Sequence, residues 1–214
     1  MGKEATPKNW PSSLPYLSQP SYSPDITPSQ HQALKTQPPD LTTTSNPGII
    51  PRSLPRGPSA LARILPVRDP AHPAHGQCGL FATRALPPGS LILPYYGIVH
   101  AGGAAAHAAS DYDLWLDREA GVAVDAARAG NEARFVNDYR GVRERPNAEF
   151  RECWDVRRGG EKGMAVFVLP AGKNGARGRG KGGAGIAKGE EILVSYGKGF
   201  WGKRRDEGLE VDEA

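Results

Sequence analysis

Short apolar runs that alternate with polar residues at period two, set between glycines and prolines, direct this chain toward a mostly β fold. Residues 111–117 (Asp-Tyr-Asp-Leu-Trp-Leu-Asp) alternate in this way, and residues 122–125 do so again after Gly121, which predicts two short antiparallel strands. Residues 61–67 give a first strand or a lead-in to it. Residues 81–86, the turn Pro87-Pro88-Gly89 and residues 90–97 predict a hairpin. Residues 146–150 and 164–169 add two more strands, the latter a continuous apolar run suited to a central position. Residues 192–196 form a last one. Residues 101–109, rich in alanine and glycine, read as a short helix or a loose connection, with His107 as an exposed loop residue.

The prolines divide the chain. Twelve of its twenty fall before residue 59, among serine, threonine and glutamine, so residues 1–58 read as a disordered leader with too little apolar material to offset chain entropy. Trp10 and Tyr16 are its possible anchors for a partner. Residues 59–205 are then the folded domain, interrupted at 170–186 by a basic, glycine-rich loop insert, and residues 206–214 form an acidic tail. That insert reads either as a solvated surface loop or as a tether for nucleic acid, although it has no interleaved aromatic for base stacking.

Charge sets few limits. A formal net charge of +4 and a pI near 9.1 suit a polyanionic partner such as chromatin, and suit ordinary basic loops equally. Two cysteines, Cys78 and Cys153, make neither a disulfide framework nor a structural zinc cluster, which points to a reducing compartment. No secretory signal or membrane span is legible, so an intracellular protein is expected.

Three stretches carry chemistry. Residues 130–139 (Gly-Asn-Glu-Ala-Arg-Phe-Val-Asn-Asp-Tyr) mix apolar residues with the directed polar groups of Arg134, Asn137 and Asp138, which need partners or a ligand if buried. Upstream lies Gly76-Gln77-Cys78-Gly79-Leu80-Phe81-Ala82, leading to Leu93-Pro94-Tyr95-Tyr96-Gly97. Downstream lies Gly189-Glu190-Glu191-Ile192-Leu193-Val194-Ser195-Tyr196-Gly197. In order and spacing the three resemble the SET domain, the catalytic module of many protein-lysine methyltransferases. The resemblance implies a β-clip fold of several small sheets with few short helices and a pseudoknot-like C-terminal crossing, without flanking zinc clusters.

It also implies S-adenosylmethionine as methyl donor and a lysine of a protein, plausibly a histone in a nucleosome, as acceptor. The amine must arrive neutral although its free pKa is about 10.4, so a narrow aromatic passage is required. Tyr95, Tyr196 and Phe200 are its expected walls, with Tyr196 and Tyr95 as the catalytic pair. Gly76, Gln77, Cys78 and Gly79 match the family's glycine-rich donor turn. Asn137 matches the asparagine that holds the methionine portion, with Arg134, Phe135 and Asp138 beside it and Trp201 packing over the donor. No metal is expected.

Three features depart from the family pattern. Asp138 stands where histidine is usual, Gln77 where glycine is usual, and no cysteine cluster follows the domain. These motivate two rival readings, a non-catalytic binding module on the same scaffold and a nucleic-acid-associated adaptor acting through the insert and leader. The nucleus is the favoured compartment.

Overall fold

A computed structural model describes residues 6–37, 48–104, 107, 109–170 and 185–197. In chain order they form β1 (Ser21–Tyr22), α1 (Pro28–Lys35), β2 (Gly48–Ile50), β3 (Ala62–Pro66), β4 (Cys78–Ala82), β5 (Leu91–Tyr95), β6 (Ile98–Ala101), β7 (Asp113–Asp117) and β8 (Val122–Asp125). A 3-10 turn (Glu132–Phe135) follows, then β9 (Asn137–Asp138), β10 (Ala148–Asp155), a second 3-10 turn (Val156–Arg158), β11 (Glu161–Val168) and β12 (Leu193–Val194).

The strands make several small sheets. One has the order β1-β6-β8-β7, another β2-β10-β11-β5, and β3-β4 and β12-β9 are pairs. The alternating runs pair as read, β7 with β8 antiparallel, and β10 pairs with β11 antiparallel over eight residue pairs. The main core crosses between sheets through Ile64, Leu80, Ile92, Val124, Val166 and Ile192, with a smaller cluster of Ile50, Cys153, Ala165 and Phe167. Strand β12 returns from far along the chain to lie parallel to β9, with Leu193 opposite Asn137 and Val194 opposite Asp138.

The hairpin expected across Pro87–Gly89 does not form. Strand β4 pairs with β3, while β5 pairs with β11. The turn is real, but Val168 accepts the Gly89 N–H at 3.1 Å and donates to Ser90 at 2.9 Å, drawing the chain onto β11. Four of the five residues of β5 are buried, a pattern that needs a neighbour in a covered sheet.

Residues 6–37 and 48–58 are not an unstructured leader. Strand β1 runs parallel to β6, β2 runs parallel to β10, and Ile26 and Leu34 lie in the main core. Helix α1 starts on a capping box in which Thr27 and Gln30 each bond the other's backbone, with Pro28 opening the first turn. Further on, the Tyr16 hydroxyl donates to Glu132 at 3.0 Å, and the Ser59 N–H donates to the other Glu132 oxygen at 2.7 Å. Composition judged whether this segment could bury a core of its own. Its few large apolar groups instead dock on one already built by the rest.

His107 is likewise buried rather than exposed. Its Nδ1 lies 2.6 Å from Asp125, and its ring stacks on His100 at 3.7 Å between centroids. His100 in turn meets Asp113 at 2.9 Å. Glycines at 102 and 103 turn the chain there, and no helix occurs among the described residues of 101–109. Residues 171–184, which hold most of the insert, and the expected sites Phe200 and Trp201 lie outside the described residues.

Candidate functional site

The parallel pairing of β12 with β9 brings the end of the Gly-Glu-Glu segment against the Asn-Asp dipeptide. Tyr196, just past β12, donates its backbone N–H to Asp138 Oδ2 at 2.7 Å and its hydroxyl to the Val136 carbonyl at 2.8 Å. The ring is therefore held at both ends by the 136–138 segment. Asp138 also accepts the Arg140 N–H at 2.9 Å and forms an ion pair with the Arg140 guanidinium at 3.0 Å. An acceptor-only side chain fits this place because it faces donors from two segments.

Tyr95 ends β5 and is buried. Its hydroxyl donates to the Tyr112 carbonyl at 2.6 Å, and its ring meets Phe150 edge-on with centroids 5.4 Å apart. Burial first, and then the charge of Asp125, push the Tyr95 phenol well above its ordinary pKa, with Tyr196 near enough to add to the effect. The group is a neutral phenol at physiological pH.

Strand β4 carries the glycine turn to the other side of Asn137. Gly76 has a left-handed φ of +80°, which favours glycine. At Gly79 a Cβ would overlap Glu191 Oε1 and come 3.1 Å from Asn137 Nδ2, so only glycine leaves room for their contact. Asn137 donates to Glu191 Oε1 at 2.8 Å and to the Cys78 carbonyl at 3.4 Å. Arg134 is spent on the wall: its Nε donates to the Ala126 carbonyl at 2.9 Å, and its guanidinium lies over the Tyr112 ring at 4.3 Å and the Phe135 ring at 5.1 Å.

Gln77, Cys78, Tyr95, Arg134, Phe135, Asn137, Asp138 and Tyr196 all line one cleft. It encloses about 1690 Å³, beyond the roughly 300–1,000 Å³ of an ordinary ligand pocket, so a small molecule and an incoming side chain can share it. Gly76 and Gly79 shape the turn beside it without lining it. Among the described residues no group of three or more His, Cys, Asp or Glu side chains could hold a metal ion, and no helix is long and apolar enough to cross a membrane.

Sequence reasoning missed His72, Glu191 and Tyr112. His72 lines the cleft and meets Glu191 at 3.0 Å. Glu191 stood in the downstream motif but was given no role beyond the turn before the last strand, and nothing local marks His72, which reaches Glu191 through the fold. Tyr112 read as an ordinary strand residue. Its role comes from its carbonyl and ring, which receive Tyr95 and Arg134.

A mostly β protein of several small sheets, in which a late segment crosses an earlier one beside a polar-and-aromatic cleft, is the class this architecture defines, and its fold is SET-like. The family model of the SET domain matches residues 77–175. Solved structures similar to this chain include a humanised mutant of the Chaetomium thermophilum Polycomb Repressive Complex 2 bound to an inhibitor. It is 20% identical with a TM-score of 0.47, over 70% of this chain and 17% of that one. A second inhibitor complex of the Chaetomium thermophilum assembly is 18% identical with a TM-score of 0.48, over 70% of this chain and 18% of that one. The chain thus spans less than a fifth of these matched chains. No curated protein sequence matches it.

Proposed function

We propose that this protein is an S-adenosylmethionine-dependent protein-lysine N-methyltransferase. The observation that carries the reading is the convergence, on one cleft, of Tyr196 and Tyr95 with Gln77, Cys78 and Asn137 from the glycine turn and β9. The residues present fit such a donor. The turn keeps side-chain bulk away at Gly76 and Gly79, and Asn137, with its nitrogen committed to Glu191 and Cys78, offers an oxygen to a cationic amino group. When bound, the donor supplies an electrophilic methyl on a sulfonium.

The chain's own residues do the rest by placement. Tyr95 and Phe150, packed edge-on and lining the cleft, supply aromatic surface that withholds water from an ammonium and so favours the neutral amine, and that tolerates the positive charge near transfer by cation–π attraction. A lysine amine that has lost its proton to solvent forms the new nitrogen–carbon bond as the sulfur–carbon bond breaks. Tyr196, fixed at backbone and hydroxyl, orients that meeting, and such orientation accounts for much of the rate in a displacement of this kind. Histone lysine is the proposed acceptor and the nucleus the proposed compartment, a reading supported by the match to the SET-domain model at residues 77–175.

The test is transfer of a labelled methyl group to histones, with calorimetry for the donor. Wild type is expected to bind S-adenosylmethionine and label a lysine, and Tyr196→Phe to lose on the order of 10²-fold in rate. Donor binding without labelling of any protein substrate would favour the binding-module reading. Equal labelling by wild type and Tyr196→Phe would remove Tyr196 from the catalytic role.

A further inference from the structure

Asn137 begins a buried polar chain whose other members, Glu191 and His72, lie outside the span matched by the family model, with His72 on the same cleft. The Asn137 Nδ2 donates to Glu191 Oε1 at 2.8 Å, and Glu191 Oε2 lies 3.0 Å from His72 Nε2. The His72 and Glu191 side chains are only 7% and 9% exposed. Neither residue falls within the matched span of 77–175.

The tautomer follows from the geometry. His72 Nδ1 accepts the Ala74 N–H at 2.9 Å, and a ring nitrogen that accepts carries no proton. The hydrogen of the neutral imidazole is therefore on Nε2, where it donates to Glu191. Glu191 then receives one donor on each oxygen. For Asn137 the consequence is a fixed amide. Both partners of its nitrogen, the Glu191 carboxylate and the Cys78 carbonyl, only accept, so a flipped amide would set oxygen against oxygen twice.

We propose that His72 is a positioning residue for the donor pocket. Acting through Glu191, it locks the Asn137 amide so that Oδ1 is the atom presented to the amino group of a methionine-type ligand. This rests on the methyltransferase reading of the cleft. Gly79 belongs to the same device, because a Cβ there would overlap Glu191 Oε1 and crowd Asn137 Nδ2.

The experiment compares the full chain with His72→Phe, which removes both ring nitrogens, and His72→Gln, whose amide can restore the donor to Glu191. The probes are S-adenosylhomocysteine and its analogue lacking the α-amino group, each titrated calorimetrically, with thermal unfolding of each variant as a control. Wild type should bind the amino-bearing ligand about tenfold or more tightly than the analogue. His72→Phe should lose that preference while binding the analogue as wild type does, and His72→Gln should regain most of it. Rates at saturating donor should change little, placing the effect in binding.

A His72→Phe protein that still discriminates, or that weakens both ligands equally, overturns the positioning role while leaving the methyltransferase reading in place. If His72→Phe does not fold, His72→Gln and Glu191→Gln carry the comparison. The glutamine at 191 can accept from only one of its two neighbours, so it too should lose the preference. Wild type that binds neither ligand overturns the reading of the cleft itself, and the positioning role with it.

Discussion

Asp138 Oδ2 accepts the backbone N–H of Tyr196 at 2.7 Å, so one of the residues that depart from the pattern the sequence resembles is one that fixes the candidate catalytic tyrosine. Asp138→Ala removes this acceptor together with those for the Arg140 backbone and guanidinium. The expected cost is about 1–3 kcal/mol of stability, with a fall in methyl transfer as Tyr196 loosens. Asp138→Asn, which keeps one acceptor, should lie between. Urea unfolding beside a transfer assay checks both, and an alanine variant with unchanged stability and rate would contradict the anchoring role.

Helix α1 should matter as a core element. Leu34 is completely buried in the main cluster, so Leu34→Ala is expected to cost about 2–5 kcal/mol. Removal of residues 1–58 strips β1, α1 and β2 from their sheets and should lower the unfolding temperature sharply or prevent folding. A shortened chain that melts with the full one would show that these elements contribute nothing.

The two thiols should behave differently. Cys153 is fully buried, and burial, followed by the charge of Asp155, pushes its pKa up to about 12; Cys78 is partly exposed and lines the cleft. Since the thiolate is the reactive form, iodoacetamide should modify the folded protein at Cys78 and spare Cys153. Saturating S-adenosylhomocysteine should slow that modification severalfold. Peptide mapping by mass spectrometry reads both outcomes, and rapid labelling at Cys153 would contradict the packing of β10 on β11.

Glu161 makes stability depend on pH. Burial raises its carboxyl from 4.5 to about 7, while Arg158 at 3.0 Å favours the ionised form. A folded-state pKa above the unfolded one means the contribution is present below about pH 4.5 and is lost as pH rises toward 7, at most about 3 kcal/mol. Glu161→Gln should therefore show a smaller loss of unfolding temperature from pH 5 to pH 8 than wild type. Parallel curves for the two proteins would show that Glu161 does not titrate in that window.

Much of the site was readable because its residues sit in local motifs. Asn137, Gln77, Cys78, Tyr95 and Tyr196 were each picked from a short stretch, and all five line one cleft. His72 was not, since its meaning depends on Glu191, 119 positions away. Shorter separations also hid His107, whose partner Asp125 ends β8 18 positions on, and Tyr112, whose carbonyl receives Tyr95 from 17 positions away.

The amino-acid pattern by itself determined that this would be a protein of short strands, and that residues 111–117 and 122–125 would form two antiparallel ones, as β7 and β8 do. Tertiary structure decided which strand β5 joins, where β1 and β2 dock, and what Asp138 holds. Periodicity records that a face must leave water, but the free energy of burial is the same against any matching surface. Only the assembled fold selects among those surfaces, by satisfying backbone donors and acceptors at the same time.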